Sequence, residues 1–191
     1  MKNIFKLMSV AVLAASMIFV SCKKDENNDE PANNIPDGIN VTFNGTSWTA
    51  GENSSVYHSA YSALQLSCAK TTSSEFPIFD EVIYTAEVGT TTETVVDGQF
   101  ESNGVHGYVE YYEQTYLTDG TNYYGDWWGE QATTDIKAID LNALTITAVC
   151  EGTMFSALEA LVQNYEGYTG YADATRAPYK VTFGNAKLSA N

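Results

Sequence analysis

Residues 39 to 50 read Ile39-Asn40-Val41-Thr42-Phe43-Asn44-Gly45-Thr46-Ser47-Trp48-Thr49-Ala50, and their period decides the fold class. Asn44-Gly45 is the dipeptide favoured by a two-residue hairpin turn that needs positive φ at both positions. A turn there sets Phe43 opposite Thr46, Val41 opposite Trp48 and Ile39 opposite Ala50. Ile39, Val41, Phe43, Trp48 and Ala50 then share one face, while Asn40, Thr42, Ser47 and Thr49 share the other. Such alternation marks strands with a core on one side and water on the other.

The same period continues toward the C-terminus. Leu64, Leu66 and Cys68 alternate within Val56 to Ala69, and Val82, Tyr84, Ala86 and Val88 alternate with Ile83, Thr85 and Glu87. Asp97-Gly98 is a second hairpin turn, setting Val95 opposite Phe100. Two further strands are expected from Thr134 to Leu141 and from Leu144 to Thr153. Met154, Phe155, Leu158, Leu161 and Val162 then change to helical spacing, with Ser156 or a neighbour capping one short helix. In the last strand, Lys180 to Ser189, the apolar phase moves from Val181 and Phe183 to Ala186 and Leu188 across Gly184, as a bulge would make it do. About ten short strands and one short helix near the C-terminus predict an all-β fold, either an antiparallel β-sandwich or a partly open β-barrel.

Toward the N-terminus the character changes. Lys2 and Lys6 precede an uncharged run of 14 residues, Leu7 to Val20. A helix crossing a bilayer needs about 20, so the run reads as the apolar region of a signal peptide. Phe19-Val20-Ser21-Cys22 matches a lipobox, with cleavage before a cysteine carrying diacylglycerol. A conventional cleavage site would want a small residue where Phe19 stands. The expected organisation is a lipoprotein signal peptide at 1–21, an acidic and polar tether at 22–35, and a single β domain at 36–191. The lipid on Cys22 is the one covalent group expected, with no other cofactor. Each buried methylene adds about 0.8 kcal/mol of membrane affinity, so the two or three chains of a processed lipoprotein anchor durably where one would be marginal.

Lys23-Lys24-Asp25-Glu26, followed by Asn27-Asn28-Asp29-Glu30, resembles the lysine-plus-acidic export signal of Bacteroidetes-type surface lipoproteins. That resemblance implies an outer-membrane protein, lipid-anchored and facing the cell exterior. The Asn44-Gly45-Thr46-Ser47-Trp48-Thr49-Ala50 hairpin, the Ile139-Asp140 to Gly152-Thr153 strand pair and the closing Val181-Thr182-Phe183-Gly184-Asn185-Ala186 resemble lipoproteins of the same type. What that family implies is a β-rich fold with no assigned chemistry.

Charge narrows the partners. The chain carries 9 basic and 24 acidic side chains, a net of −15. Removing Lys2 and Lys6 with the signal peptide takes this to −17. Such a balance repels nucleic acid and anionic lipid, and leaves neutral sugars, cations and basic protein surfaces. Cys68 and Cys150, both on apolar strand faces, are a candidate disulfide outside the cytoplasm. The alternative is two buried free thiols.

The segment from Tyr108 to Trp128 is the candidate binding region, with six Tyr and two Trp in twenty-one residues. Asp119-Gly120 as a two-residue turn would set Tyr116 opposite Tyr123, Tyr112 opposite Trp127 and Tyr111 opposite Trp128. Tyr108, Tyr112, Tyr116, Tyr123 and Trp127 would then line one face, a rigid aromatic surface for a glycan or a partner protein. Val109, Tyr111, Leu117, Tyr124 and Trp128 would line the other. Glu113 opposite Asp126 is a weak metal candidate, since a Ca²⁺ ion would relieve their repulsion. The structural alternative is that aromatic pairs, at about 0.2 to 1 kcal/mol each, simply hold a long hairpin together.

No Gly-x-Ser-x-Gly, His-Glu-x-x-His or glycine-rich phosphate loop occurs, and His58 and His106 are the only histidines. A non-catalytic binding domain is therefore expected. The rival expectations are a calycin-like barrel carrying a small hydrophobic ligand and a purely structural envelope protein.

Overall fold

The computed structural model describes residues 34–72, 75–83, 85–96, 99–102, 105–114, 117–118, 123–159 and 174–191. Cys22 and the tether as far as residue 33 lie outside these. The described chain is all β apart from one short helix. Its strands are β1 (Gly38–Phe43), β2 (Thr46–Thr49), β3 (Glu52–Asn53), β4 (Val56–His58), β5 (Ala63–Ala69), β6 (Ile78–Ile83), β7 (Gly89–Val96) and β8 (Gln99–Ser102). They continue with β9 (Val105–Tyr112), β10 (Leu117–Thr118), β11 (Tyr123–Tyr124), β12 (Trp127–Asp140), β13 (Thr145–Ser156), β14 (Arg176–Lys187) and β15 (Ser189–Ala190).

One large sheet runs in the order β15-β4-β5-β6-β9-β8-β7-β12-β13-β14-β1-β2, with β3 on β5 and a further β9–β12 pairing; β10 and β11 form a separate pair. The sheet curls into a half-barrel, which decides between the sandwich and the partly open barrel in favour of the latter. Neighbours are antiparallel except β15, which lies parallel to β4.

The first hairpin forms as its turn chemistry dictates. Asn44 and Gly45 have φ of 45° and 78°, and Phe43 pairs with Thr46 and Val41 with Trp48. On the outer face Thr42 and Ser47 hydroxyls meet at 2.8 Å, and Thr49 donates to Asn40 at 2.8 Å. The inner face, with Ile39, Val41, Phe43 and Trp48, is buried in one core with Leu64, Leu66, Cys68, Ile146, Ala148 and Cys150. Val95 pairs with Phe100, the register expected of a turn at Asp97-Gly98.

β14 carries its bulge at the expected place. Phe183 pairs with Ala148 and Ala186 with Ile146, so β14 has one residue more than β13 over this stretch. Asn185 takes it up with φ of 45°, and its N–H donates to Thr147 Oγ1 at 3.2 Å. Ser156 caps the helix, α1, which begins at Ala157: the Glu159 N–H donates to Ser156 Oγ at 3.3 Å. Met154 and Phe155 belong to β13 rather than to the helix, while Leu161 and Val162 lie outside the described residues.

Two expectations are corrected. The strand read through Val82 and Val88 ends at Ile83, and its inward face is Phe79, Glu81 and Ile83 rather than the Val82 phase. Val88 is 63 % exposed in the following connection. The interior takes Glu81, wholly buried, because the Thr134 hydroxyl donates to its carboxyl. A charged residue at the centre of an apolar face inverts the apparent alternation.

The candidate disulfide is the second. Cys68 and Cys150 are free and buried. Burial first, then the Asp80 charge, push the Cys68 thiol up to about 12, against a backbone hydrogen bond at Phe79. Cys150 is held far above its usual range by burial and next by Glu81, which it contacts together with Thr134. Each thiol is packed as a small hydrophobe.

Candidate functional site

The aromatic segment pairs in a different register from the one its turn dipeptide suggested. At its tip Leu117 pairs with Tyr124 and Thr118 with Tyr123. At its base Trp127 pairs with Tyr111 and Trp128 with Glu110. Six steps from Tyr111 to Leu117 therefore face three from Tyr124 to Trp127. Within the longer arm, the amides of Glu113 and Gln114 donate to Asp126 Oδ2 at 2.7 and 2.9 Å. The Asp126 carboxylate thus pins an irregular bend.

Because side chains alternate, the one-residue displacement at the base reverses Trp127. It pairs with inward Tyr111 instead of outward Tyr112. The five aromatic residues expected on one face are consequently divided. Trp127 packs against the inner core, whereas Tyr108 and Tyr112 are half-buried on the outer face of β9. Tyr116 lies outside the described residues, and of Tyr123 only the β11 backbone is described.

Tyr108 and Tyr112 join an acid cluster. Asp80 on β6 pairs with Glu110 on β9. The Tyr108 hydroxyl donates to Asp80 Oδ2 at 2.9 Å, and Gln65 Nε2 reaches both Asp80 oxygens at 3.1 and 3.2 Å. Tyr112 donates to Glu110 Oε2, which also accepts the Gly125 N–H at 3.3 Å. Burial is the largest influence on both carboxyls and raises them above their ordinary range. Their hydrogen bonds pull the other way, and the Asp80 charge lifts Glu110 further. Burial also raises the Tyr112 phenol, with Glu110 next. These two tyrosines have their hydroxyls committed to the sheet itself.

Trp127 belongs to another arrangement, at the mouth of the half-barrel. Phe43 stacks on Tyr111 with centroids 4.1 Å apart and meets the Trp127 edge at 5.1 Å and 65°. Trp48 Nε1 donates to the Tyr111 hydroxyl at 3.2 Å, and Trp127 Nε1 donates to Glu113 Oε2 at 3.0 Å. Burial pushes the Tyr111 phenol up to about 12; the Trp48 bond opposes this and the Glu113 charge adds to it. A cavity of about 310 Å³ opens here, lined by Phe43, Asn44, Thr46, Trp48, Lys70, Pro77, Tyr111, Glu113 and Gln114. That volume is at the small end for ligand sites.

Glu113 and Asp126 therefore do not face each other as a carboxylate pair. Each accepts N–H donors of its own, from the Trp127 indole and from two backbone amides. Among the described residues no group of three or more His, Cys, Asp or Glu is placed to hold a metal ion.

Phe43, Trp48, Tyr111 and Lys70 were not singled out by the sequence pattern as site residues. The alternation assigned Phe43 and Trp48 to the core, which is correct, but gave no sign that the core surfaces as an aromatic mouth at this end. No family model, curated protein or solved structure matches the chain.

Proposed function

We propose that this chain is a lipid-anchored protein of the outer membrane, facing the cell exterior, whose β domain binds a glycan without converting it, at the mouth lined by Phe43, Trp48 and Tyr111, with Trp127 packed against Phe43 beside it. The observation that carries the reading is the coincidence of stacked rings with Glu113, Gln114, Lys70 and Asn44 around one open cavity. Sugar rings present apolar C–H faces and a rim of hydroxyls. Phe43, Trp48 and Tyr111, which are 4 to 8 % exposed, offer the first only ring edges at the cavity floor, while amide, ammonium and carboxylate groups around the rim meet the second. The net negative charge favours neutral saccharides over acidic ones.

The interior argues against a carrier of small hydrophobic ligands. Phe79, Phe183, Leu64, Leu66, Ile136, Ile146 and Met154 fill it and are almost wholly inaccessible. Anchorage rests on Cys22 and its lipobox.

The test is intrinsic tryptophan fluorescence during titration with neutral polysaccharides, beside a glycan array. Saturable change is expected in the natural protein. It should be lost in Trp127→Ala and weakened in Glu113→Ala, which leaves the indole N–H without its carboxylate acceptor. An identical response from all three proteins, or none from the natural one, overturns the proposal.

A further inference from the structure

Among the described residues four large apolar side chains are exposed: Tyr61 at 73 %, Val88 at 63 %, Leu158 at 55 % and Leu141 at 38 %. Three of them occupy loop tips at one end of the half-barrel. The register establishes this. Asp140 pairs with Thr145, Thr145 with Lys187, and Gly184, three residues back along the same strand, with Gly38. Leu141, in the β12–β13 turn, is therefore at the end where β1 begins. Ile78 pairs with Tyr112 at the mouth, so Ile83 and Val88 are at the opposite end. Leu64 pairs with Ile83, which brings the β4–β5 turn and Tyr61 there as well.

The chain enters at this same end. Ile35 is buried, and Pro36 crosses directly over Gly184. Thirteen residue steps separate Ile35 from Cys22, which bounds the distance between them at about 45 Å. β12, with 14 residues, runs about 43 Å along its own axis from the turn carrying Leu141 to the mouth.

We infer that this end of the half-barrel rests on the bilayer interface, with Tyr61, Val88 and Leu141 entering the headgroup region, so that the aromatic mouth points away from the membrane. The inference depends on the lipid anchor at Cys22 named above. Short tethering keeps the tips within reach of the bilayer, so weak apolar contacts suffice to orient the domain. Tyr has the amphipathic body that suits an interface. Asp37, Glu87 and Asp140 are exposed at the same end, against Lys187, so the headgroups that fit are zwitterionic rather than anionic.

The acylated full-length protein provides the test, because its remaining cysteines, Cys68 and Cys150, are buried. Tyr61→Cys, Val88→Cys and, at the mouth, Thr46→Cys would each carry one environment-sensitive fluorophore in phosphatidylcholine vesicles. Brominated-chain phosphatidylcholine should quench the probes at positions 61 and 88 several-fold more than the probe at 46, and aqueous iodide should do the reverse. Anionic lipid in the vesicles should weaken the contrast. Association with vesicles but equal quenching at all three positions overturns the orientation while leaving the anchor standing. Failure of the acylated protein to associate overturns the anchor, and this inference with it.

Discussion

Phe43 and Tyr111 stack with centroids 4.1 Å apart and ring planes 20° from parallel, although 68 residues separate them. The contact ties the first hairpin to the base of the aromatic segment and forms the wall of the mouth. Phe43 is 4 % exposed and Tyr111 likewise. Phe43→Ala removes a buried ring and should cost about 3 to 5 kcal/mol in urea unfolding. Tyr111→Phe keeps the stack but takes the acceptor from the buried Trp48 indole N–H, a cost of about 1 to 3 kcal/mol. A reversed order of these two losses would show that the hydroxyl, not the stack, holds the mouth together.

The cross-strand pairing of Asp80 with Glu110 gives a pH prediction. Both folded-state carboxyls lie above their ordinary range, so the folded chain holds protons more tightly than the unfolded one. The favourable contribution is complete below the unfolded values near 4 and is lost as pH rises through the folded ones. Glu110→Gln abolishes the repulsion and can still accept from Tyr112 and Gly125. It should be more stable than the natural protein by about 0.2 to 1 kcal/mol at pH 8, where like charges otherwise face each other. The difference should shrink as pH falls toward 4. Melting temperatures across that window decide it.

What could be read in the chain beforehand was whatever local turn chemistry determines. Asn44-Gly45 set the first register, Asp97-Gly98 the pairing of Val95 with Phe100, Gly184-Asn185 the bulge and Ser156 the helix cap. Each is decided within a few residues. Glu81 was hidden because its hydroxyl donor, Thr134, stands 53 residues away. The face of Trp127 is not legible in the local sequence because a side chain outside the turn, Asp126, stabilises a bend at Glu113 and Gln114. The mouth combines Phe43, Trp48, Lys70 and Tyr111, four positions that become neighbours only when the sheet curls. Alternation tells inside from outside along a strand but not where a curled sheet ends.

Gly184 tests how the N-terminal segment is seated. A Cβ at this position would stand 1.8 Å from the Pro36 carbonyl oxygen and 3.2 Å from Asp37 Cα, both backbone atoms that cannot swing aside. Gly184→Ala should displace Pro36 and with it the buried Ile35. The expected loss is about 1 to 3 kcal/mol, the usual cost of overpacking. Limited proteolysis should then cut between residues 34 and 38 faster than in the natural protein, while the β13–β14 amides remain protected from exchange.

Thiol chemistry provides the last prediction. With Cys68 pushed up to about 12, only about one part in 10⁴ would be thiolate at pH 8, and burial also blocks access. Cys150 is also held well above its usual range, by burial and next by Glu81. In the Cys22→Ser protein, which carries no third sulfhydryl, an aromatic disulfide reagent at pH 8 should find no reactive thiol in the folded state. It should find two after denaturation in guanidinium, because Cys68 and Cys150 are unpaired. None after denaturation would mean that the two are joined in solution. Reaction in the folded state at a rate that follows unfolding, rising with denaturant, would identify opening of the half-barrel as the only route to these sulfurs.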